Sequence, residues 1–163
     1  MGAGKTTVGK RLAQKLSFHF FDLDQIIEES EGKTIEDIFA NDGEDYFRDV
    51  EKKHLHNFKN EKNVVLSVGG GAPCFFDNIQ WMNNHGVTVY LQLNSKTIFH
   101  RLKNAKTIRP LVAGKNDKEL ISYIETKLSE REKYYLKAMI VIEGIDMDIE
   151  ALALMIEEKI REF

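Results

Sequence analysis

The sequence predicts an α/β domain with three layers, in which a parallel sheet is covered by helices on both faces. Two observations lead to this prediction: short apolar runs that resemble buried strands, and amphipathic helical patterns that alternate with them along the chain. The length of 163 residues suits one hydrophobic core rather than two. We therefore expect residues 1–163 to form a single domain.

Four apolar runs are predicted to be strands. The clearest are residues 64–68 and 87–91, which are rich in β-branched side chains and close to continuously apolar. Residues 139–142 resemble them, and a short fourth strand is expected at 19–21, leading into Asp22. Apolar side chains on both faces indicate strands inside a covered sheet.

Seven segments carry the apolar spacing of helices. In residues 5–16, Val8 and Leu12 lie on one stripe. The segment from Thr34 to Ala40 opens with Thr-x-x-Asp, a variant of the capping box that begins many helices. The other predicted helices are residues 44–58, 76–84, 95–103, 117–137 and 148–162.

Composition narrows the possible partners and compartments. A net charge of -3 gives no general attraction for nucleic acid or anionic membranes, so local basic clusters must hold any anionic ligand. Cys74 is the single cysteine, which excludes an internal disulfide and fits a reducing compartment. No apolar run approaches the roughly 20 residues that span a bilayer, and no signal-peptide pattern is present. We expect a cytoplasmic monomer with neither nucleic acid nor a membrane as its partner.

Residues 2–7, which lead into the first predicted helix, match the second half of the phosphate-binding loop G-x-x-x-x-G-K-[ST]. Glycines allow backbone N–H groups to turn toward a phosphate, and the helix N-terminus adds partial positive charge. In such loops the lysine reaches the β- and γ-phosphates, and the hydroxyl that follows it ligates Mg²⁺. A glycine-rich helix cap without ligand is the alternative. The predicted ATP-binding residues are Gly2, Ala3, Gly4, Lys5, Thr6 and Thr7.

Only half of the phosphate-loop motif is present. Its first glycine, and the apolar strand that normally precedes it, would lie before Met1. Removing a strand from the middle of a sheet leaves unpaired edges and a gap in the core. We therefore expect that the first strand is missing from this sequence and that Met1 is an internal methionine of a longer natural chain.

Two pairs of polar residues have spacings suited to ligand binding. Asp22 and Asp24 follow the short strand, where carboxylates at i and i+2 can serve two neighbouring tasks. A helix cap at Asp24 is the alternative. Arg48 and Glu51 share one helix face at i and i+3, so the carboxylate can hold the guanidinium as a planar fork for an anionic ligand. A solvated surface pair is the alternative.

Two further segments complete the set of motifs. Residues 69–71 are three glycines at the end of a predicted strand, where backbone N–H groups can face a ligand in the crevice. A strained turn is the alternative. Residues 103–118 are basic, contain Arg109-Pro110-Leu111, and suit a mobile lid or a solvated loop. Arg131 lies four residues before Tyr135 on a predicted helix.

In their order and spacing across residues 2–138, these motifs resemble the shikimate kinase family of phosphate-loop small-molecule kinases. The resemblance implies transfer of the γ-phosphoryl group of ATP to the 3-hydroxyl of shikimate with Mg²⁺, a step toward chorismate and the aromatic amino acids. The chain departs from the family pattern in its absent first strand. It also shows no clear adenine-binding motif near residues 143–146.

The resemblance also implies a role for individual residues. Asp24 would accept hydrogen bonds from substrate hydroxyls, and Arg109 would close with the lid on the transferring phosphoryl group and bind ATP. The implied catalytic residues are Lys5, Asp24 and Arg109. The implied substrate-binding residues are Asp24, Arg48, Gly69, Gly70, Gly71 and Arg131, and Mg²⁺ would be held by Thr6 and, through water, by Asp22. A kinase for gluconate or a nucleoside monophosphate, a non-catalytic nucleotide-binding module and an inactive fragment are the alternatives.

Overall fold

Helices and strands alternate along the chain in the computed structural model, which describes residues 2–104 and 114–163. The strands are β1 (His19–Asp22), β2 (Val64–Ser67), β3 (Val89–Gln92) and β4 (Ile140–Glu143). The helices are α1 (Lys5–Leu16), α2 (Leu23–Glu31), α3 (Ile35–Asn41), α4 (Gly43–His56), α5 (Asn78–His85), α6 (Ser95–Lys103), α7 (Asp117–Tyr135) and α8 (Ile149–Arg161). Short 3₁₀ turns follow at Asn57–Asn60 and Ala72–Cys74.

The four strands form two parallel pairs. β1 pairs with β2 so that Asp22 lies opposite Ser67, and β3 pairs with β4 so that Gln92 lies opposite Glu143. The parallel direction was predicted. However, the described strands form two separate two-stranded sheets rather than one continuous sheet. The strand predicted at residues 87–91 begins two residues later than expected, at Val89.

Helices cover both faces of the strand layer. Successive side chains of a strand point to opposite faces, and neighbouring residues of β2 show this directly. Val65 packs against a buried cluster that contains Leu12 of α1 and Ile156 of α8. Leu66 packs against another cluster, formed by α2, α3 and α4. The predicted three-layer α/β architecture is therefore confirmed.

A cavity of about 900 Å³ separates the two strand pairs. It is lined by β2 on one side and β3 on the other, with Leu12 of α1 and Leu152 of α8 among its apolar walls. In the described residues, the edges of β2 and β3 that face away from β1 and β4 belong to no strand ladder.

Several helix ends were predicted closely. α1 spans the predicted residues, and Thr34 caps α3 in a capping box with Asp37, as expected from Thr-x-x-Asp. The cap of α2 is Asp22, whose Oδ1 accepts a hydrogen bond from the Asp24 N–H at 3.2 Å, so the alternative that made Asp24 the cap is wrong. None of the described helices has the length and apolar character needed to cross a membrane.

Candidate active site

The phosphate loop leads directly into the N-terminus of α1. Gly4 caps this helix with φ 83°, a left-handed conformation that side chains with a Cβ rarely adopt. The first turn, which contains Lys5 and Thr6, has no acidic residue that would repel an anion. A helix N-terminus presents backbone N–H groups and a partial positive charge, so this end of α1 is suited to bind phosphate.

Arg101 of α6 braces the same loop. Its Nη1 donates to the Ala3 carbonyl at 3.0 Å, and its Nη2 donates to the Gly144 carbonyl at 3.2 Å. The sequence analysis did not identify this contact. The bracing role depends on two contacts that span 98 and 43 residues, and no local pattern signals such contacts.

Thr6 and Asp22 place two hard oxygen atoms side by side. Thr6 Oγ1 donates to Asp22 Oδ2 at 3.0 Å because β1 ends next to the first turn of α1. Hydroxyl and carboxylate oxygens fit Mg²⁺, which keeps several waters and uses few protein ligands. Among the described residues, no group of three or more His, Cys, Asp or Glu side chains could enclose a metal ion. The residues present therefore fit a Mg²⁺ site completed by water and ATP.

The carboxyl ends of β1 and β2 bring Asp24 to the glycine loop. Asp22 and Ser67 lie opposite each other in the ladder, so the residues that follow each strand remain close. A Cβ built at Gly69 would lie 3.0 Å from Asp24 Oδ1 and 3.0 Å from Glu51 Oε1. Three of the predicted functional segments therefore meet at Gly69.

Arg48 is buried, with 7% of its surface exposed. Its Nη1 donates to Glu51 Oε2 at 2.7 Å, while Nε and Nη2 donate to Glu44 Oε1 at 3.2 and 3.0 Å. The Phe75 ring lies 4.1 Å from the guanidinium carbon. A Cβ built at Gly71 would lie only 2.7 Å from both Nη atoms, so the loop and the guanidinium are in close contact. The alternative of a solvated surface pair is therefore wrong.

Glu51 is fully buried, and one of its oxygens is unsatisfied within the described part of the chain. Burial raises the pKa of Glu51, and the charge and hydrogen bond of Arg48 oppose this shift. Its Oε1 has no hydrogen-bond partner and lies beside Asp24 at the Gly69 backbone. A buried acceptor without a partner among the described residues is costly. The sequence predicted only that Glu51 holds Arg48.

Arg131 of α7 lines the same cavity as Gly69 and Gly70. Its charge acts on Tyr135 and Glu51 and lowers the pKa of each, although burial raises both pKa values overall. Tyr135, on the same helix, donates its hydroxyl to the Gly70 carbonyl at 2.6 Å. The predicted carboxylate-binding residues Arg48 and Arg131 thus both lie beside the triple-glycine segment.

The predicted lid is only partly described. Arg109, with the rest of residues 105–113, lies outside the described residues, so its predicted catalytic and ATP-binding roles stay predictions. Lys103 at the end of α6 and Asp117 at the start of α7 form an ion pair of 2.6 Å across the ends of this segment.

Comparison with known proteins identifies the family. The family model described as shikimate kinase matches residues 1–161. The chain belongs to the shikimate kinase family. Members of this family are kinases that transfer phosphate from ATP to shikimate. The chain is 49% identical over 138 residues to the shikimate kinase of Phocaeicola vulgatus, covering 85% of this chain and 79% of that protein.

Solved shikimate kinases share the fold as well as the sequence. The crystal structure of the shikimate kinase from Bacteroides thetaiotaomicron matches with a TM-score of 0.90 and 41% identity, covering 99% of this chain and 94% of that one. A shikimate kinase from Acinetobacter baumannii, solved in complex with shikimate, matches with a TM-score of 0.83 and 34% identity, covering 99% and 89% of the two chains. The fold is therefore that of the phosphate-loop shikimate kinases.

Proposed function

We propose that this chain binds ATP at the phosphate loop and shikimate at the triple-glycine loop, and phosphorylates the 3-hydroxyl of shikimate in a Mg²⁺-dependent reaction. The observation that carries the proposal is the convergence of Arg48 and Asp24 on residues 69–71. Asp22, two residues before Asp24, accepts a hydrogen bond from Thr6 in the first turn of α1. A guanidinium and a carboxylate at one loop suit an acceptor that carries both a carboxylate and hydroxyl groups. The proposed compartment is the cytoplasm, which the single cysteine supports.

ATP is held by the first turn of α1. The backbone N–H groups that follow Gly4 bind the β-phosphate, and Lys5 reaches the β- and γ-phosphates. Thr6 and Asp22 would hold Mg²⁺, which when bound neutralises charge on the phosphate oxygens. Arg101 keeps the loop in place through the Ala3 carbonyl, so its contribution to ATP binding is indirect.

Shikimate is held at its carboxylate and at its hydroxyl groups. Arg48 and Arg131 bind the carboxylate, and the Glu51 ion pair keeps the Arg48 fork oriented. Asp24 accepts a hydrogen bond from the 3-hydroxyl and receives its proton as the new bond to phosphorus forms. The shikimate complex of the Acinetobacter baumannii relative supports this choice of acceptor.

Phosphoryl transfer requires alignment and charge stabilisation more than strong base catalysis. The transition state is loose, so negative charge moves toward the bridging oxygen as the γ-phosphoryl group leaves ADP. Lys5 stabilises that charge, and we propose that Arg109 does the same. Asp24 contributes mainly by aligning the attacking oxygen, and closure of residues 103–118 would exclude water that otherwise hydrolyses ATP.

A coupled ADP-release assay tests this proposal. We expect ADP release that depends on shikimate and is absent with gluconate or a nucleoside monophosphate as acceptor. Lys5→Ala should lower turnover at least ~10²-fold, the scale for losing a preorganised charge partner. ADP release at the same rate with and without shikimate would contradict the proposed acceptor.

A further inference from the structure

The three carbonyl groups of the glycine loop are held in different ways. The Gly69 carbonyl accepts from the Ala72 N–H at 3.1 Å, and the Gly71 carbonyl accepts from the Cys74 N–H at 2.8 Å. Both bonds lie within the loop itself. The middle carbonyl, of Gly70, accepts from the Tyr135 hydroxyl at 2.6 Å, across 65 residues of sequence. The Cys74 thiol lies 3.9 Å from the same oxygen and adds at most a weak bond.

This hydrogen bond determines the direction of one peptide group. In a trans peptide the carbonyl and the next N–H point in opposite directions, so a Gly70 carbonyl directed at α7 turns the Gly71 N–H away from α7. Glycine stands on both sides of this peptide, and without Cβ atoms the backbone has little intrinsic preference for one orientation. The Tyr135 hydroxyl therefore supplies the orientation that the backbone lacks.

Tyr135 also connects the loop to Arg131. The two residues lie one turn apart on α7, and the charge of Arg131 acts on the Tyr135 phenol. The Tyr135 ring packs against Tyr90 of β3, with 4.9 Å between ring centres, so the phenol is anchored independently of its hydroxyl. Removing the hydroxyl alone should leave this packing unchanged.

We infer that the Tyr135 hydroxyl is a positioning group for the acceptor: it holds the Gly70–Gly71 peptide at a fixed place relative to α7, the helix that carries Arg131, for binding of the shikimate carboxylate. This inference rests on the proposed function. Tyr135 does not need to contact the substrate, because it acts through the Gly71 N–H and Arg131. Its loss should therefore weaken shikimate binding selectively and leave the phosphate loop, on the other side of the crevice, unaffected.

Steady-state kinetics of Tyr135→Phe test the inference, with Tyr134→Phe as the matched control. Tyr134 is the neighbouring tyrosine, and its ring lies near Lys133 and Lys137. We expect Tyr135→Phe to raise the KM for shikimate about tenfold, the scale of one buried hydrogen bond, with the KM for ATP changed less than about twofold. Tyr134→Phe should change neither KM by more than about twofold.

A double-mutant cycle with Arg131→Lys measures whether the two side chains act together on the KM for shikimate. A purely structural role of Tyr135 would not produce such coupling. If the two side chains act on one carboxylate site, their combined effect on the shikimate KM should be smaller than the product of the single effects. Circular dichroism identifies the temperature at which each variant is folded, and the kinetics are compared there. A Tyr135→Phe variant that folds at no temperature, or that raises both KM values equally, would overturn the inference.

The two proposals fail in different ways. Absence of shikimate-dependent turnover in the wild-type chain contradicts the proposed function. Wild-type turnover combined with an unchanged shikimate KM in Tyr135→Phe contradicts only the positioning role of Tyr135.

Discussion

At the scale of single residues, the proposed acceptor site depends on Arg48, a buried cation held by two carboxylates. Arg48→Ala should raise the KM for shikimate by roughly 10- to 100-fold, the range for hydrogen bonds to a charged group, and change the KM for ATP little. Arg161→Ala, which removes an exposed arginine at the end of α8, is the control. Equal shikimate KM values in the two folded variants would refute the role of Arg48.

A second prediction concerns Glu51 and the pH dependence of the free energy of unfolding. Burial raises its pKa in the folded protein, so folding favours the protonated form. Its contribution to stability is therefore greatest below the ordinary glutamate pKa of about 4.3 and declines as pH rises through the raised folded-state pKa. We expect the free energy of unfolding of wild type minus that of Glu51→Gln to fall from about pH 4 to about pH 8.

Urea unfolding at several pH values measures this difference. Glu44→Gln is the control, because Glu44 also pairs with Arg48 but has 53% of its side chain exposed. The control should show the smaller change with pH. A wild-type to Glu51→Gln difference that does not vary with pH would contradict the effect of burial on Glu51.

The sequence was informative about residues whose chemistry is carried by a local motif. Lys5, Asp24 and Arg48 were predicted because each lies in a short pattern with a chemical reason. Arg101 and Tyr135 act through contacts that span 98 and 65 residues, and a linear pattern contains no signal for such distances. The sequence also did not predict the unsatisfied oxygen of Glu51, since its burial depends on how α4 packs against the loop.

At the scale of elements, the triple-glycine loop connects the end of β2 to the proposed shikimate site. Gly71→Ala would place a Cβ 2.7 Å from both Nη atoms of Arg48, a distance at which the guanidinium or the loop must move. We expect the displaced guanidinium to raise the KM for shikimate at least ~10-fold. This factor corresponds to a loss of about 1.4 kcal/mol of binding free energy. Gly86→Ala is the control, since a Cβ there would meet nothing within 4 Å.

Binding of shikimate by isothermal titration calorimetry provides a second readout for the same pair. Similar shikimate affinity in Gly71→Ala and Gly86→Ala would show that Arg48 tolerates the added methyl group and would contradict the close contact. At this scale the sequence predicted that three glycines face a ligand. It did not predict that one of them is required by a neighbouring guanidinium, because that contact crosses from β2 to α4.

At the scale of the whole molecule, we expect the cavity between β2 and β3 to weaken the fold. Two strand edges face a space of about 900 Å³ with apolar walls, and both unpaired backbone groups and unfilled apolar volume are destabilising. We expect that a segment of about six apolar, β-branched residues joined ahead of Gly2 raises the thermal midpoint by several degrees. A Gly/Ser segment of equal length, which cannot fill the cavity, is the control.

Calorimetry of the two extended chains measures this effect. Equal midpoints would contradict the idea that the cavity accepts a strand. The sequence predicted the parallel direction and the helices on both faces, because periodicity and alternation report burial of each element. The sequence did not predict which strands pair with each other, because each pair joins segments that are distant in sequence.

The most direct test of the central claim is to identify the phosphorylated product by ³¹P NMR. With ATP, Mg²⁺ and shikimate present, the account predicts a new phosphate monoester resonance that couples to the proton at carbon 3 of shikimate. Omitting shikimate should remove that resonance. Formation of only ADP and inorganic phosphate under the complete conditions, or of an ester at another position, would contradict the claim that this crevice aligns the 3-hydroxyl with the γ-phosphate.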